Sequence, residues 1–534
     1  MSVPDGPNAG ATTASGLELP VYGRADSIDA AIASAEVPGA FPFTRGIRER
    51  MYLDRPWTMR QLAGFGRASD TNARYRSLMA AGATGINGVF DYPSLRAFDS
   101  DHPLARSDVG RGGVAVDVRD DFEDLFADIP LQDVSVSLVS SQPIGAVIHL
   151  AMFVQAADRR DVARTALSGT SQNDFLMESA ITIAPEALPP AGSFQLECDL
   201  IEYAVQELPR WNPVSISGYN YREAGADAVL EAALALAHAQ AVAHEMIRRG
   251  HAPETFLSRI SFFLDAQSDF FEEIAKFRAI RRAWAKWVRD DLGVDHEPSQ
   301  RFRFHVQTSG VSNTARHAHV NIARSMTQGL SAVLGGTQSL HLNGFDEAVS
   351  IPSEHAAMTA LRSQYVLLHE TGVAKSADPL GGSYLVEHLT DVMEQRISDV
   401  VAQIDALGGV VAATESGWVH AELARLSFEV QKAIDEGEQL IVGVNTMNDG
   451  QDVPVEIFSL PTDTLARQKT RLAEVRGRRN DSGSAASVEE VGQAARDGEN
   501  VMPSILRAVQ QDATLGEIGT VLRTSLGRWD FPLW

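Results

Sequence analysis

The chain has 534 residues, 44% of them hydrophobic, and a formal net charge of -24. That apolar content can bury a large core, and that charge excludes a nucleic-acid or anionic-membrane binder. A single cysteine, Cys198, excludes an internal disulfide framework and is expected in the core, within the apolar run FQLECDLIEYAV.

Residues 1–40, rich in Gly, Ala, Ser and Pro, read as an extended N-terminal arm without the pattern of a basic n-region followed by an apolar core. Nowhere do about 18 apolar residues run uninterrupted, so a cytoplasmic protein with no membrane span is expected. From 41 to 400, short β-rich runs alternate with longer helical ones. The β-rich runs are TGINGVFD (84–91), VSVSLVSS (134–141), VSISGY (214–219), RISFFLDA (259–266), RFRFHVQTSG (301–310) and TQSLHLNGFD (337–346). Helices are expected between them, for example over 227–249 and 268–292. Repeated β-then-α units imply a parallel sheet with right-handed crossovers. The α/β class is therefore expected as a closed (β/α)8 TIM barrel, a fold that can take up a length that would otherwise suggest three domains of about 150 residues. A helical region should follow over 401–476. Residues 477–488, GRRNDSGSAASV, read as a flexible linker before a helical tail that runs to 534.

The strands run into polar residues: Asp91, Asn220, Gln307, and Gln338, His341 and Asn343 around SLHLN. In a (β/α) barrel the C-terminal strand ends form the active face, so these residues are expected to converge on one pocket. Helix capping is the competing use of each amide taken singly. The chain has no H-E-x-x-H, C-x-x-C, G-x-S-x-G or phosphate-loop signature. His317 and His319, two apart on an expected helix, point to different faces and are not read as metal ligands. Amides, hydroxyls and arginines without a nucleophile or metal cluster suggest that a cofactor performs the difficult chemistry.

Eight motifs then carry a resemblance: TRGIRERMYLDRPWTMRQLAGFG, FDYPSLRAFDSDHP, GTSQND, SISGYNYREAGAD, RISFF, QTSG, GGTQSLHLNGFDEA and ADPLGGSYLVE. In order and spacing, from about residue 40 to 475, they resemble the catalytic large chain of the coenzyme B12-dependent acyl-CoA mutases, the methylmalonyl-CoA mutase family. The resemblance implies a barrel with CoA threaded along its axis and the acyl group meeting adenosylcobalamin. It implies that Arg55, Thr58, Arg60, Arg259 and Ser261 contact CoA, and that Leu62, Val89, Phe90 and Thr182 complete the substrate site. Gln172, Tyr219 and Asn220 fall at catalytic positions, and Gln307, Gln338, Asn343 and Glu347 at cofactor positions. None of the 14 histidines has an aspartate two residues before it. The family's cobalt-ligating D-x-H-x-x-G is thus missing, which implies a separate small cobalamin-binding subunit in a heterodimer or heterotetramer.

Three departures bear on substrate. Leu62 and Thr182 stand where methylmalonyl-CoA mutases carry the tyrosine and arginine that grip the substrate carboxylate. A carboxylate buried against Leu and Thr would be unpaired, at a cost of several kcal/mol. The expected acyl group is therefore uncharged, small to medium and branched, as in 2-hydroxyisobutyryl-CoA or isobutyryl-CoA; Thr182 either meets a substrate hydroxyl or leaves space. Asn220 replaces the family histidine, and an amide can donate a hydrogen bond but cannot transfer a proton at neutral pH. The alternatives are a non-catalytic barrel subunit of a heteromeric mutase and a methylmalonyl-CoA mutase with an atypical carboxylate site.

Overall fold

Pro213 decides how the sheet is counted. In the computed structural model nine parallel segments pair in one sheet, and the two at its ends, Trp211–Asn212 and Val214–Ser217, are consecutive in the chain. Proline has no N–H to give to the ladder, so the strand breaks there. The first piece pairs with the preceding strand and the second with the following one. Taken as one strand, they close a barrel of eight: β1 Thr58–Ala63, β2 Gly85–Val89, β3 Ser135–Val139, β4 Ser168–Gln172, β5 (the two pieces), β6 Ile260–Ala266, β7 Phe304–Thr308 and β8 Ser339–His341. Helices between successive strands coat the outside, among them Pro143–Asp158, Pro190–Glu207, Ala228–Arg248 and Phe270–Lys286. The structure describes residues 12–18, 36–182, 185–448, 450, 455 and 459–529.

The runs expected as strands over 84–91, 134–141, 259–266 and 301–310 all contain one. Two strands escape sequence reading. β1 (TMRQLA) and β4 (SGTSQ) put polar residues on both faces of the apolar/polar alternation that marks a half-buried strand. The run VSISGY is strand only to Ser217; Gly218–Glu223 is a short helix that carries Tyr219 and Asn220. Of the expected N-terminal arm, residues 12–18 fold into a turn that buries Leu17 in the barrel's outer core, residues 36–40 lead into the barrel, and the rest lies outside the described residues.

The stretch expected as a flexible linker, 477–488, instead holds the end of helix Thr464–Arg478 and the start of helix Asp481–Asp497, which is capped by the Asn480 side chain and ended by left-handed Gly498. Its small residues are the reason. Ser484, Ser487 and Gly492 allow close packing, and a Cβ on Gly492 would meet Val521 at 2.6 Å. Val491, Ile505 and Leu522 from the C-terminal helices join Ile148, Phe153 and Leu200 in the core outside β2–β4. Cys198 is fully buried, as expected, and burial pushes its thiol well above the usual range. No helix among the described residues is long and apolar enough to cross a membrane.

Candidate active site

Barrel interiors of this type are usually filled by branched apolar side chains. Here the inward residues are small and polar: Asn87, Ser137, Thr170, Asn212, Ser215, Ser261 and Ser339 line a cavity of about 200 Å³. Its mouth lies at the N-terminal ends of the strands, where Arg48, Arg55, Thr58, Arg303 and Gln338 line it, and it reaches Gln172, the last residue of β4. Arg60 donates to Ile86 O at 2.9 Å and Ser135 Oγ at 2.9 Å, and Arg303 donates to Asn212 Oδ1 at 3.2 Å. Among the described residues no carboxylate forms an ion pair with Arg48, Arg55, Arg60 or Arg303. Burial lowers Arg60 to about 10, and burial together with Arg55 and Arg301 lowers Arg48. Cations held on neutral partners in a desolvated mouth fit an anionic ligand, and guanidinium forks suit phosphate oxygens.

Register then sorts the lumen into layers. Leu62 pairs with Asn87, Asn87 with Ser137 and Ser137 with Thr170; one step up, Val89 pairs with Val139 and Val139 with Gln172. Val89 and Val139 follow Asn87 and Ser137 by two residues and so share their inward face. The barrel wall thus passes from a layer of amide and hydroxyl side chains, which Leu62 shares, to Val89 and Val139 one step above, past the residues that line the cavity. Gln172 bridges the two, donating to Ser137 Oγ at 3.2 Å.

At the C-terminal end, Gln307 Nε2 donates to Tyr219 Oη at 2.9 Å and to Asn343 Oδ1 at 3.0 Å, and the Tyr219 ring stacks on Phe263 at 4.7 Å. Gln307, Asn343 and Tyr219 therefore do converge. Glu347 is half-buried beside them; desolvation, Asp346 and Glu223 lift its carboxyl to about 8. Asn220 is half-buried, and its amide is turned back onto Ser217 Oγ at 2.6 Å. His341 accepts the Leu62 N–H at 3.2 Å, and burial lowers it to about 4, so it is a neutral acceptor.

Other expected site residues lie elsewhere. Gln338 sits at the opposite end of the barrel from Gln307, accepting the Phe304 N–H at 2.9 Å and lining the arginine-rich mouth. Arg259 does not line the cavity: it donates to Ala204 O at 2.8 Å and Leu208 O at 2.6 Å, satisfying the end of helix Pro190–Glu207, while Ser261 on the same strand is in the lumen. Phe90 faces outward, stacked on His149 at 4.0 Å, because it is one residue out of phase with Val89. Asp91 is used structurally, accepting Ser94 N–H at 2.9 Å and Gly110 N–H at 2.6 Å. Thr182 has both hydroxyl roles engaged, donating to Met177 O at 2.9 Å and accepting Gln142 Nε2 at 3.1 Å. No group of His, Cys, Asp or Glu among the described residues could hold a metal ion.

Sequence reading missed Arg48, Arg303, His305 and Gln142. His305 lines the cavity with Nδ1 on Ser339 Oγ at 2.8 Å, while its buried Nε2 has no hydrogen-bond partner among the described residues; burial, Arg60 and His341 hold it well below the usual range, and so neutral. The signal available was alternation: Arg303 and His305 precede Gln307 at spacing two, on one strand face.

Fold and site together define a barrel isomerase of the acyl-CoA mutase class. The chain belongs to the methylmalonyl-CoA mutase family, whose model matches residues 12–528. It is 40% identical over 510 residues to the 2-hydroxyisobutanoyl-CoA mutase large subunit of Aquincola tertiaricarbonis, covering 95% of this chain and 90% of that one. It is 39% identical over 515 residues to the methylmalonyl-CoA mutase of Cereibacter sphaeroides, covering 95% of this chain and 71% of the relative. Against the mitochondrial methylmalonyl-CoA mutase of Homo sapiens the identity is 36% over 519 residues, with 96% and 68% covered.

Proposed function

We propose that this chain is the large subunit of an adenosylcobalamin-dependent mutase that rearranges the carbon skeleton of a short, uncharged, branched acyl-CoA such as 2-hydroxyisobutyryl-CoA or isobutyryl-CoA. The layering of the lumen carries this reading. Arginines without ion-paired carboxylates at the mouth suit the CoA phosphates, and hydroxyls along the wall suit the pantetheine arm. By register and alternation Leu62, Val89 and Val139 stand on the inward face beyond that, and they would give the acyl group surroundings with no positive charge. The Thr182 hydroxyl, engaged by Gln142 and Met177 O, favours its reading as a neutral wall over a partner for a substrate hydroxyl.

The donor set at the C-terminal end fits a sugar- and amide-bearing ligand. Gln307 and Asn343 offer amides, and Glu347 a carboxyl with no side-chain partner among the described residues, which suits ribose hydroxyls. It does not fit ligation of cobalt, since no histidine has the required context and no metal-binding cluster is present among the described residues. Adenosylcobalamin, when bound, supplies the hydrogen-atom abstraction that frees the thioester group to move to the neighbouring carbon. The chain's own residues orient and shield. Gln172 and Asn220 are the amide donors available to the thioester oxygen, the apolar layer holds the acyl methyls, and the closed wall excludes water.

A large subunit of this kind needs a small cobalamin-binding partner, and the similarity to a protein named as a large subunit supports one here. The purified chain with adenosylcobalamin should give no turnover of these acyl-CoAs, and adding a cognate small subunit should restore it. Robust turnover by the single chain would refute the split assembly.

A further inference from the structure

Behind the lumen wall, between β4 and the short helix Gly218–Glu223, lies a fully buried charge relay that the proposed chemistry does not use. Asp174, two residues after Gln172, accepts the Ser217 N–H at 2.7 Å and the Tyr221 hydroxyl at 2.5 Å through Oδ2, and the Leu176 N–H at 2.9 Å through Oδ1. Its own N–H donates to Ser141 O at 3.0 Å, tying in the loop after β3. His238, on helix Ala228–Arg248, stands between Asp174 Oδ1 at 3.6 Å and Glu197 Oε1 at 2.9 Å, and Glu197 in turn accepts the Phe175 N–H at 3.1 Å. Burial works against a charge on His238, but Glu197 and Asp174 outweigh it and push the imidazole up to about 10. All four side chains are no more than 1% exposed.

Gly218–Glu223 has only six residues, too few to be stable alone, and no side chain caps its start. Its end is held by Arg222 on Glu273 at 3.2 Å and by Glu223, which accepts the Gly310 and Val311 N–H groups; its first half is attached by Asp174, which grips the residue before it and the tyrosine in its middle. Tyr219 and Asn220 lie between those two grips.

We infer that Asp174, charge-balanced by His238 and assisted by Tyr221, is a positioning residue that fixes Asn220 and Tyr219 against Gln172, so that the two amides reach one thioester oxygen together. This rests on the proposed acyl-CoA reading. One carboxylate sets the distance between them, because Gln172 is held two residues upstream of it and Asn220 three residues downstream of the Ser217 N–H it accepts. A small shift of such donors costs rate with little loss of binding, since the CoA arm is held at the far mouth.

The test needs no cofactor. Isobutyryl-CoA labelled with ¹³C at the carbonyl is bound to the full chain, and the C=O stretch is read by isotope-edited infrared spectroscopy. The parent chain should lower the frequency relative to free thioester, and Asn220→Ala should lose much of that shift. Tyr221→Phe and Asp174→Asn should lose at least about half of it while affinity for isobutyryl-CoA changes by less than about threefold; in the assembled enzyme kcat should fall about tenfold and about a hundredfold respectively. If Asp174→Asn does not fold, Tyr221→Phe decides, because it removes one hydroxyl and no charge. A folded Tyr221→Phe with the parent's carbonyl shift and kcat overturns the inference. An unshifted carbonyl in the parent chain overturns it differently, by showing that no amide meets the thioester and that the site reading itself has failed.

Discussion

At the N-terminal mouth of the lumen, Arg48, Arg55, Arg60 and Arg303 are held on neutral partners or left to solvent, and among the described residues no carboxylate pairs with them. At the C-terminal end, Gln307, Asn343 and Tyr219 are already hydrogen-bonded to one another, and the titrating groups that face Tyr219 are acids, Glu223, Asp265 and Glu347. The mouth is an unsatisfied electrostatic site, open to an anion; the far end is a nearly satisfied polar lattice that can fix a neutral ligand by orientation. On a chain of net charge -24 that asymmetry is informative, since unpaired cations can persist in an acidic protein only where local structure keeps carboxylates away. A ligand with phosphates at one end and an uncharged reacting group at the other matches both ends at once.

The comparison can be broken from either side. The largest effect is expected from Asn220→Ala, which should lower kcat by about a hundredfold or more with a smaller change in KM, as for a donor aimed at charge that develops in the transition state. Unchanged kcat in steady-state assays would leave Asn220 as a loop amide bonded to Ser217. Asn220→His should fold, and raises activity if a missing proton donor limits the rate. Next, Arg60→Met or Arg303→Met should raise KM for acyl-CoA about tenfold or more with kcat little changed, because a charge-assisted contact is worth roughly 1.5–3 kcal/mol and the binding lost is uniform. Arg55→Met should do less, since Arg55 is exposed and screened. A kcat effect from these arginines, without a KM effect, would contradict the division of labour.

The smallest effect concerns pH. Glu347 is lifted from 4.5 to about 8, chiefly by desolvation, so the folded chain holds that proton where the unfolded chain has released it. Its contribution to stability is present in full below about pH 4.5 and is lost as pH rises through about 8. Glu347→Gln should therefore melt about 1–2 °C higher than the parent at pH 9 and show no difference at pH 4. The opposite sign in a pair of thermal scans would mean that Glu347 is ionised and paired in the folded chain.

Legibility followed chemistry. Strands with Val, Ile and Phe on their outward face, such as 134–141 and 259–266, were plain in the sequence. β1 and β4 were not, since a lumen built to hold a polar ligand breaks the apolar alternation by which strands are recognised. The same property concealed Arg303 and His305, which look like surface residues of a strand until its neighbours curl it into a barrel. Motif matching grouped Gln338 with Gln307, and only the strand direction puts the two at opposite ends of the barrel. Gln142 was invisible for another reason: its partner Thr182 is 40 residues away and only the fold joins them.

The measurement closest to the central claim compares substrates on the assembled enzyme: kcat/KM for isobutyryl-, 2-hydroxyisobutyryl-, pivalyl- and methylmalonyl-CoA, with the small subunit and adenosylcobalamin present. A carboxylate left unpaired against Leu62 and Val89 costs more than about 3 kcal/mol, so at least one neutral acyl-CoA should exceed methylmalonyl-CoA by about a hundredfold or more. Methylmalonyl-CoA turning over as fast as the best neutral substrate would contradict the account.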